Sequence, residues 1–230
     1  MNMKKTLSGL ALAFAVTGAQ AAEVSGTVGF TSDYRSRGIS QTSGDAAIQG
    51  SLDAAFDNGV YIGALGSNVD WGDDANLEID YYIGYGADIN DDLSYDVSFN
   101  YYTYPGYDAA DSDYAEIIAG LYYGDLAATF AFSNDYANLD ESAQYVALDY
   151  SIAVNDDISV DLHVGHSFGD YWGKADIDDY QDASISVSGS VAGVDLSASY
   201  LINNIDSADE TDSGAYRNDN ALIVAVSRSL

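Results

Sequence analysis

From residue 23 onward the chain repeats with a period of two, and this limits the fold more than any other feature. Leu77, Ile79, Tyr81, Ile83 and Tyr85 alternate with Glu78, Asp80, Tyr82, Gly84 and Gly86. Further on, Leu93, Tyr95, Val97, Phe99 and Tyr101 alternate with Ser94, Asp96, Ser98, Asn100 and Tyr102. Ile158, Val160, Leu162 and Val164 alternate with Ser159, Asp161, His163 and Gly165. Successive side chains of a strand point to opposite faces, so the pattern specifies strands with one apolar and one wet face. Twelve such segments can be marked: 23–37, 46–56, 60–71, 75–88, 93–104, 114–123, 126–135, 143–152, 158–168, 182–190, 194–202 and 220–230.

The links between them alternate in length. Asp57-Asn58-Gly59, Asn90-Asp91-Asp92, Gly124-Asp125, Asn155-Asp156-Asp157 and Ala192-Gly193 are tight turns. Residues 38–45, 105–113, 136–142, 169–181 and 203–219 are longer; only the link near Gly72 is short where a long one is due. An even set of strands, with short turns on one rim and long loops on the other, predicts an all-β fold. It is a transmembrane antiparallel up-and-down β-barrel of about 12 strands, with both termini on the periplasmic, short-turn rim. A secreted β-sandwich also alternates. Against it stand the many tyrosines near inferred strand ends (Tyr34, Tyr61, Tyr101, Tyr114, Tyr122, Tyr123, Tyr150, Tyr171, Tyr200), which suit interfacial girdles. The segment 220–230 also puts Leu222, Val224, Val226 and Leu230 on one face and can close against the first strand.

The N-terminus fits this destination. Lys4 and Lys5 precede a mostly apolar run at 7–16, and Ala19-Gln20-Ala21 offers small residues at the spacing of a cleavage site. Residues 1–21 therefore read as a cleaved signal peptide and 22–230 as the barrel. The run is shorter than the roughly 20 apolar residues that a spanning helix needs.

Acidic residues number 37 against 7 basic ones, for a formal net charge of −30. Beyond the signal the basic residues are Arg35, Arg37, Lys174, Arg217 and Arg228. Such a field repels nucleic acid and favours cations. There is no cysteine, which removes thiol chemistry and disulfides. His163 and His166 fall on opposite faces of one strand, and no nucleophile stands out beside them, so no catalytic site is expected. The acidic links, such as Asp108, Asp111 and Asp113, lack calcium-loop spacing and read as a solvated rim; neither a metal nor a cofactor is expected.

One block is distinctive. It runs Thr31-Ser32-Asp33-Tyr34-Arg35-Ser36-Arg37-Gly38-Ile39-Ser40-Gln41-Thr42 and continues through Ala47-Ile48-Gln49-Gly50 to Gly66-Ser67-Asn68-Val69-Asp70-Trp71. Over about residues 24–90 it resembles the TorF family of porin-like proteins, and the resemblance implies an outer-membrane location and a porin-like role. The chain departs from that pattern in lacking a proline near Ala46 and in having Leu230 where an aromatic residue is usual. Expected partners are outer-membrane lipid and lipopolysaccharide, the barrel-assembly machinery, and small solutes or cations. A homo-oligomer is left open.

Strand parity places the polar groups of this block inside the barrel. Asp33, Arg35 and Arg37 are expected inward on the first strand, Asp53 on the second, Asn68 and Asp70 on the third, Glu78 and Asp80 on the fourth. Two roles fit them. They form a charged constriction with a transverse field, or an ion-pair network that ties strands together. With about 12 strands the lumen is either a narrow channel or one plugged by 38–45 or by Tyr82, Tyr102 and Tyr104. The expected function is passive diffusion of small solutes with a preference for cations; the alternative is a non-conducting structural or surface-interaction barrel with acidic, cation-binding loops.

Overall fold

The computed structural model describes residues 22–206 and 220–230. The expected signal peptide and the acidic stretch 207–219 lie outside the described residues. In chain order the strands are β1 (Glu23–Thr31), β2 (Arg35–Ser36), β3 (Ile39–Ser40), β4 (Ala47–Ala55), β5 (Val60–Asn68), β6 (Leu77–Asp88) and β7 (Leu93–Thr103). They continue as β8 (Tyr114–Tyr123), β9 (Leu126–Ser133), β10 (Ala143–Ala153), β11 (Ile158–Phe168), β12 (Tyr180–Val191), β13 (Val194–Asn203) and β14 (Ala221–Ser229). One short helix, α1 (Asp170–Lys174), lies between β11 and β12.

All of these strands except β2 and β3 form one closed antiparallel barrel, in which each strand pairs with its sequence neighbours. β1 closes the ring against β14, with Thr27 opposite Ser229 and Thr31 opposite Ala225. Closure leaves no free edge, so every wall strand has both backbone rows paired.

The wall is inside out relative to a water-soluble protein. Val24, Ile48, Leu52, Ile62, Ile83, Phe99, Ile117, Leu148, Ile185 and Leu222 are exposed on the outer face. Asp53, Ser67, Glu78, Asp80, Ser98, Glu116 and Asp182 are buried on the inner one. An apolar surface continuous around a barrel exceeds what a protein leaves to water and suits hydrocarbon. Tyr81, Tyr85, Tyr101, Tyr123, Tyr150 and Tyr200 join this outer face. Tyr61 and Tyr171, expected in the girdles, are buried instead, and Tyr34, Tyr114 and Tyr122 are half-buried. A phenol suits a wet lumen as well as an interface, so a tyrosine's identity does not reveal its face.

The inward tyrosines of β5 and β6 pack along the wall. Gly63 pairs with Tyr82, and Tyr61 with Gly84. A Cβ on Gly63 would come within 2.5 Å of the Tyr82 ring, and one on Gly84 within 2.2 Å of the Tyr61 ring. Each ring covers the neighbouring glycine, which keeps its bulk against the sheet.

The first expected strand departs from its predicted span. The wall strand ends at Thr31, and residues 32–46 fold into the lumen as a loop carrying the β2–β3 hairpin. Arg35 and Arg37 are therefore on this hairpin and not on the barrel wall.

Candidate functional site

The hairpin turns at Arg37 and Gly38, with φ of 49° and 82°. Positive φ at both central residues is the geometry of the tightest hairpin turns, and Gly38 meets it without strain. Its tip reaches the wall: a Cβ on Gly38 would stand 2.7 Å from Cβ of Asp182 on β12 and 3.3 Å from that of Asn203 on β13. Asn203 Nδ2 donates to the Gly38 carbonyl at 3.0 Å, and the Tyr180 hydroxyl to the Arg37 carbonyl at 2.9 Å.

Arg37 crosses the lumen. Its Nη1 and Nη2 donate to Oε1 and Oε2 of Glu116 at 2.8 and 2.7 Å, a two-pronged pair on β8, far around the ring from β1. Glu116 is buried. Burial works against the charge on Arg37, but the Glu116 carboxylate outweighs it and raises the guanidinium pKa well above its ordinary value. The guanidinium carbon also lies 4.9 Å from the centre of the Tyr145 ring, within cation–π range.

The base of the loop is fixed separately. Asp33 is buried; it accepts from Nε of Arg35 at 2.6 Å and from the Ser40 hydroxyl at 2.6 Å. The Tyr34 hydroxyl donates to Glu78 Oε1 on β6 at 2.8 Å. Burial, then the charges of Glu78 and Asp80, push its pKa well above the ordinary value, so it remains a donor.

Two aromatic clusters stand on the long-loop side. Ile39 of the hairpin packs with Tyr171, Trp172, Ile177, Tyr180 and Ile205. Tyr34, Trp71, Tyr102, Tyr107 and Tyr114 surround Val69, Ala75 and Tyr104. Trp172 is 2% exposed, so this end of the barrel is filled.

On the short-turn side of the hairpin an internal cavity of about 550 Å³ remains. Its walls include Tyr61, Asp80, Tyr82, Asp96, Tyr145 and Asp161. Most lumen carboxylates have a donor. Tyr82 donates to Asp53, and Tyr61 to Asp96 at 2.8 Å. The Ser151 and Ser188 hydroxyls donate to Asp161 at 2.6 and 2.5 Å. His163 lies between Asp149, 2.7 Å from Nδ1, and Asp182, 2.8 Å from Nε2, an arrangement that suits an imidazolium donating from both nitrogens. Asp80 differs: its Oδ1 is buried with no hydrogen-bond partner among the described residues.

The structure thus brings Asp33, Arg35, Arg37, Asp53, Glu78 and Asp80 to the lumen or to the loop that fills it. Asn68 and Asp70 are placed elsewhere. On β5 the inward residues are odd-numbered, as buried Tyr61 and Ser67 and exposed Ile62 mark, so Asn68 is exposed outside. There it accepts from the Ile48 amide at 2.7 Å and donates to the Ala46 carbonyl at 3.1 Å. Small residues on both faces of β5, Gly63, Ala64 and Gly66, hide its parity in the sequence. Asp70 follows the strand end, is exposed, and binds the Gly72 amide at 2.8 Å. Glu116, Tyr145, Asp149 and Asp182 were not singled out. The three carboxylates each left the same signal, as the one charged residue of a strand: Glu116 in Tyr114–Tyr123, Asp149 in Ala143–Ala153 and Asp182 in Tyr180–Val191. Among the described residues no group of three or more His, Asp or Glu is placed to hold a metal ion.

This closed antiparallel barrel, with its polar lumen and apolar exterior, has the fold of small porins. It superposes on "KdgM porin" with a TM-score of 0.56 at 11% identity, covering 90% of this chain and 99% of that one. A second structure, "KdgM porin in complex with disordered oligogalacturonate", gives 0.56 at 9% identity, covering 90% and 98%. The NanC porin gives 0.52 at 9% identity over 90% and 98%. The chain belongs to the family described as "Bacterial protein of unknown function (Gcw_chp)", whose model matches residues 15–230. No curated protein sequence matches it.

Proposed function

We propose that this protein is an outer-membrane, porin-like channel for passive diffusion of small solutes, with a preference for cations. The observation that carries the reading is the lumen, a carboxylate-walled cavity inside a closed barrel whose exterior suits lipid. Asp80, Asp96, Asp149, Asp161 and Asp182 border it. The two arginines at its edge are each engaged by an acidic partner, Asp33 or Glu116. An acidic lining attracts cations and repels anions. The oligogalacturonate bound by KdgM is a carboxylate-bearing sugar, and this lining disfavours such a solute. The resemblance of about residues 24–90 to the TorF family points toward the same assignment.

A second reading has its own observation. The hairpin and the two aromatic clusters fill the long-loop end, as in a non-conducting structural or surface-interaction barrel whose acidic loops gather cations.

Planar-bilayer recording of refolded protein in a KCl gradient separates the two. The expected result is stable conductance steps with a reversal potential shifted toward that of K⁺. Folded protein that gives no steps establishes the second reading, and a reversal potential near zero removes the cation preference.

A further inference from the structure

The cavity under the hairpin has a feature that bulk acidity does not explain. Asp80 borders it from β6, is 8% exposed, and its Oδ1 has no donor among the described residues. A buried carboxylate without its donors is costly, and a cation that brings N–H groups relieves the cost. The other carboxylates on the wall, Asp96, Asp149, Asp161 and Asp182, are spread over β7, β10, β11 and β12. Three of these have tyrosine or serine hydroxyl donors, and Asp149 has His163.

We propose that the cavity bordered by Asp80, Asp96 and Asp161 is a binding site for small organic di- or polyamines. The proposal rests on the reading of the barrel as holding a solute-accessible lumen. A compact divalent metal ion needs several ligands converging on one point, and no such cluster exists among the described residues. A diamine carries its charges at separated points, and each ammonium donates three hydrogen bonds, which matches separated carboxylates. Tyr61, Tyr82, Tyr102 and Tyr145 also border the space, and aromatic rings complement both the methylene chain and the ammonium ends. A volume of about 550 Å³ is that of an ordinary small-molecule site.

The test is calorimetric titration of the full refolded chain in detergent with putrescine, with 1,4-butanediol as its neutral counterpart. Putrescine is expected to bind and butanediol not. Asp80→Asn is expected to weaken putrescine at least about tenfold, the effect of losing one charge-assisted hydrogen bond. Asp108→Asn, on the rim, is expected to leave it unchanged. Equal binding by wild type and Asp80→Asn means that Asp80 holds a proton and not a ligand, and overturns the proposal. So does displacement of putrescine by Mg²⁺ at equal concentration, or absence of binding. Folding of each variant is read by heat-dependent gel mobility, and Asp96→Asn carries the same test if Asp80→Asn does not fold. Bilayer conductance is recorded separately. A conducting barrel that ignores putrescine refutes the site alone, and a silent barrel that binds it refutes the channel alone.

Discussion

Arg37 is the residue on which the interior turns. Its partner Glu116 is 1% exposed, so removing the guanidinium strands a buried carboxylate. Breaking such a pair from one side costs about 3–5 kcal/mol, whereas replacing both members by apolar groups is often neutral. Arg37→Met is therefore expected to lower unfolding stability in urea by about that amount, and Arg37→Met with Glu116→Leu to recover most of it. Additive losses in this double-mutant cycle would show that the two residues do not act as a pair. The sequence revealed half of this contact. Arg37 stood out as one of few basic residues in an acidic chain. Glu116 lies 79 positions away, and nothing local says which inward carboxylate a folded-in loop will meet. Asn68 teaches the complementary lesson. Its strand was legible but its face was not, because a parity read through glycine and alanine has no hydrophobic contrast to fix it.

Among the elements, the wall strands were readable and the loop that departs from them was not. The pattern placed Tyr114–Tyr123 and Ile158–Phe168 at their observed bounds, because one row stays apolar through most of each strand (Ile117, Leu121 and Tyr123; Ile158, Val160, Leu162 and Val164) and turn or loop residues flank both. The same rule extended the first strand to residue 37, where Arg35 and Arg37 preserve the alternation although the wall ends at Thr31. What redirects the chain is tertiary. Asp33 gathers Arg35 and Ser40, and Arg37-Gly38 makes a turn whose tip fits against Asp182. Gly38→Val attacks that turn twice, through its positive φ and through the 2.7 Å approach to Asp182. The wall needs neither residue's conformation, so the barrel is expected to keep its strand content by circular dichroism while conductance in a planar bilayer rises. Unchanged conductance in a folded Gly38→Val barrel would mean that the hairpin does not limit passage.

At the scale of the whole molecule, the apolar exterior and the polar interior impose opposite tolerances. Ile83 lies near the middle of β6 and faces outward, half exposed. Arginine at such a position is expected to cost about 2–4 kcal/mol in a lipid bilayer. Val24, near the end of β1 at the short-turn rim, is expected to cost about 0–1 kcal/mol for the same change. Urea unfolding in vesicles compares the two, and equal costs would contradict a bilayer midplane at Ile83. This polarity was the most legible property of the chain, since it follows from period and composition alone. The filled end of the barrel was the least legible, since it depends on how Trp172, Tyr180 and Ile39 meet from three separate segments.

The placement of the hairpin at one end of the barrel also has an electrical meaning. Obstruction and both lumen arginines are gathered toward the long-loop end, while the cavity lies toward the short-turn end. A conduit so divided is unlike itself when reversed. Carrying one elementary charge across the full membrane potential is worth about 2.3 kcal/mol per 100 mV; a charge on the hairpin feels the fraction of that drop it would cross, in a direction set by the sign of the voltage. Ionic current through this barrel is therefore expected to rectify, with the preferred direction reversing with the protein's orientation in the bilayer; current–voltage curves that are symmetric for a uniformly oriented population would contradict this.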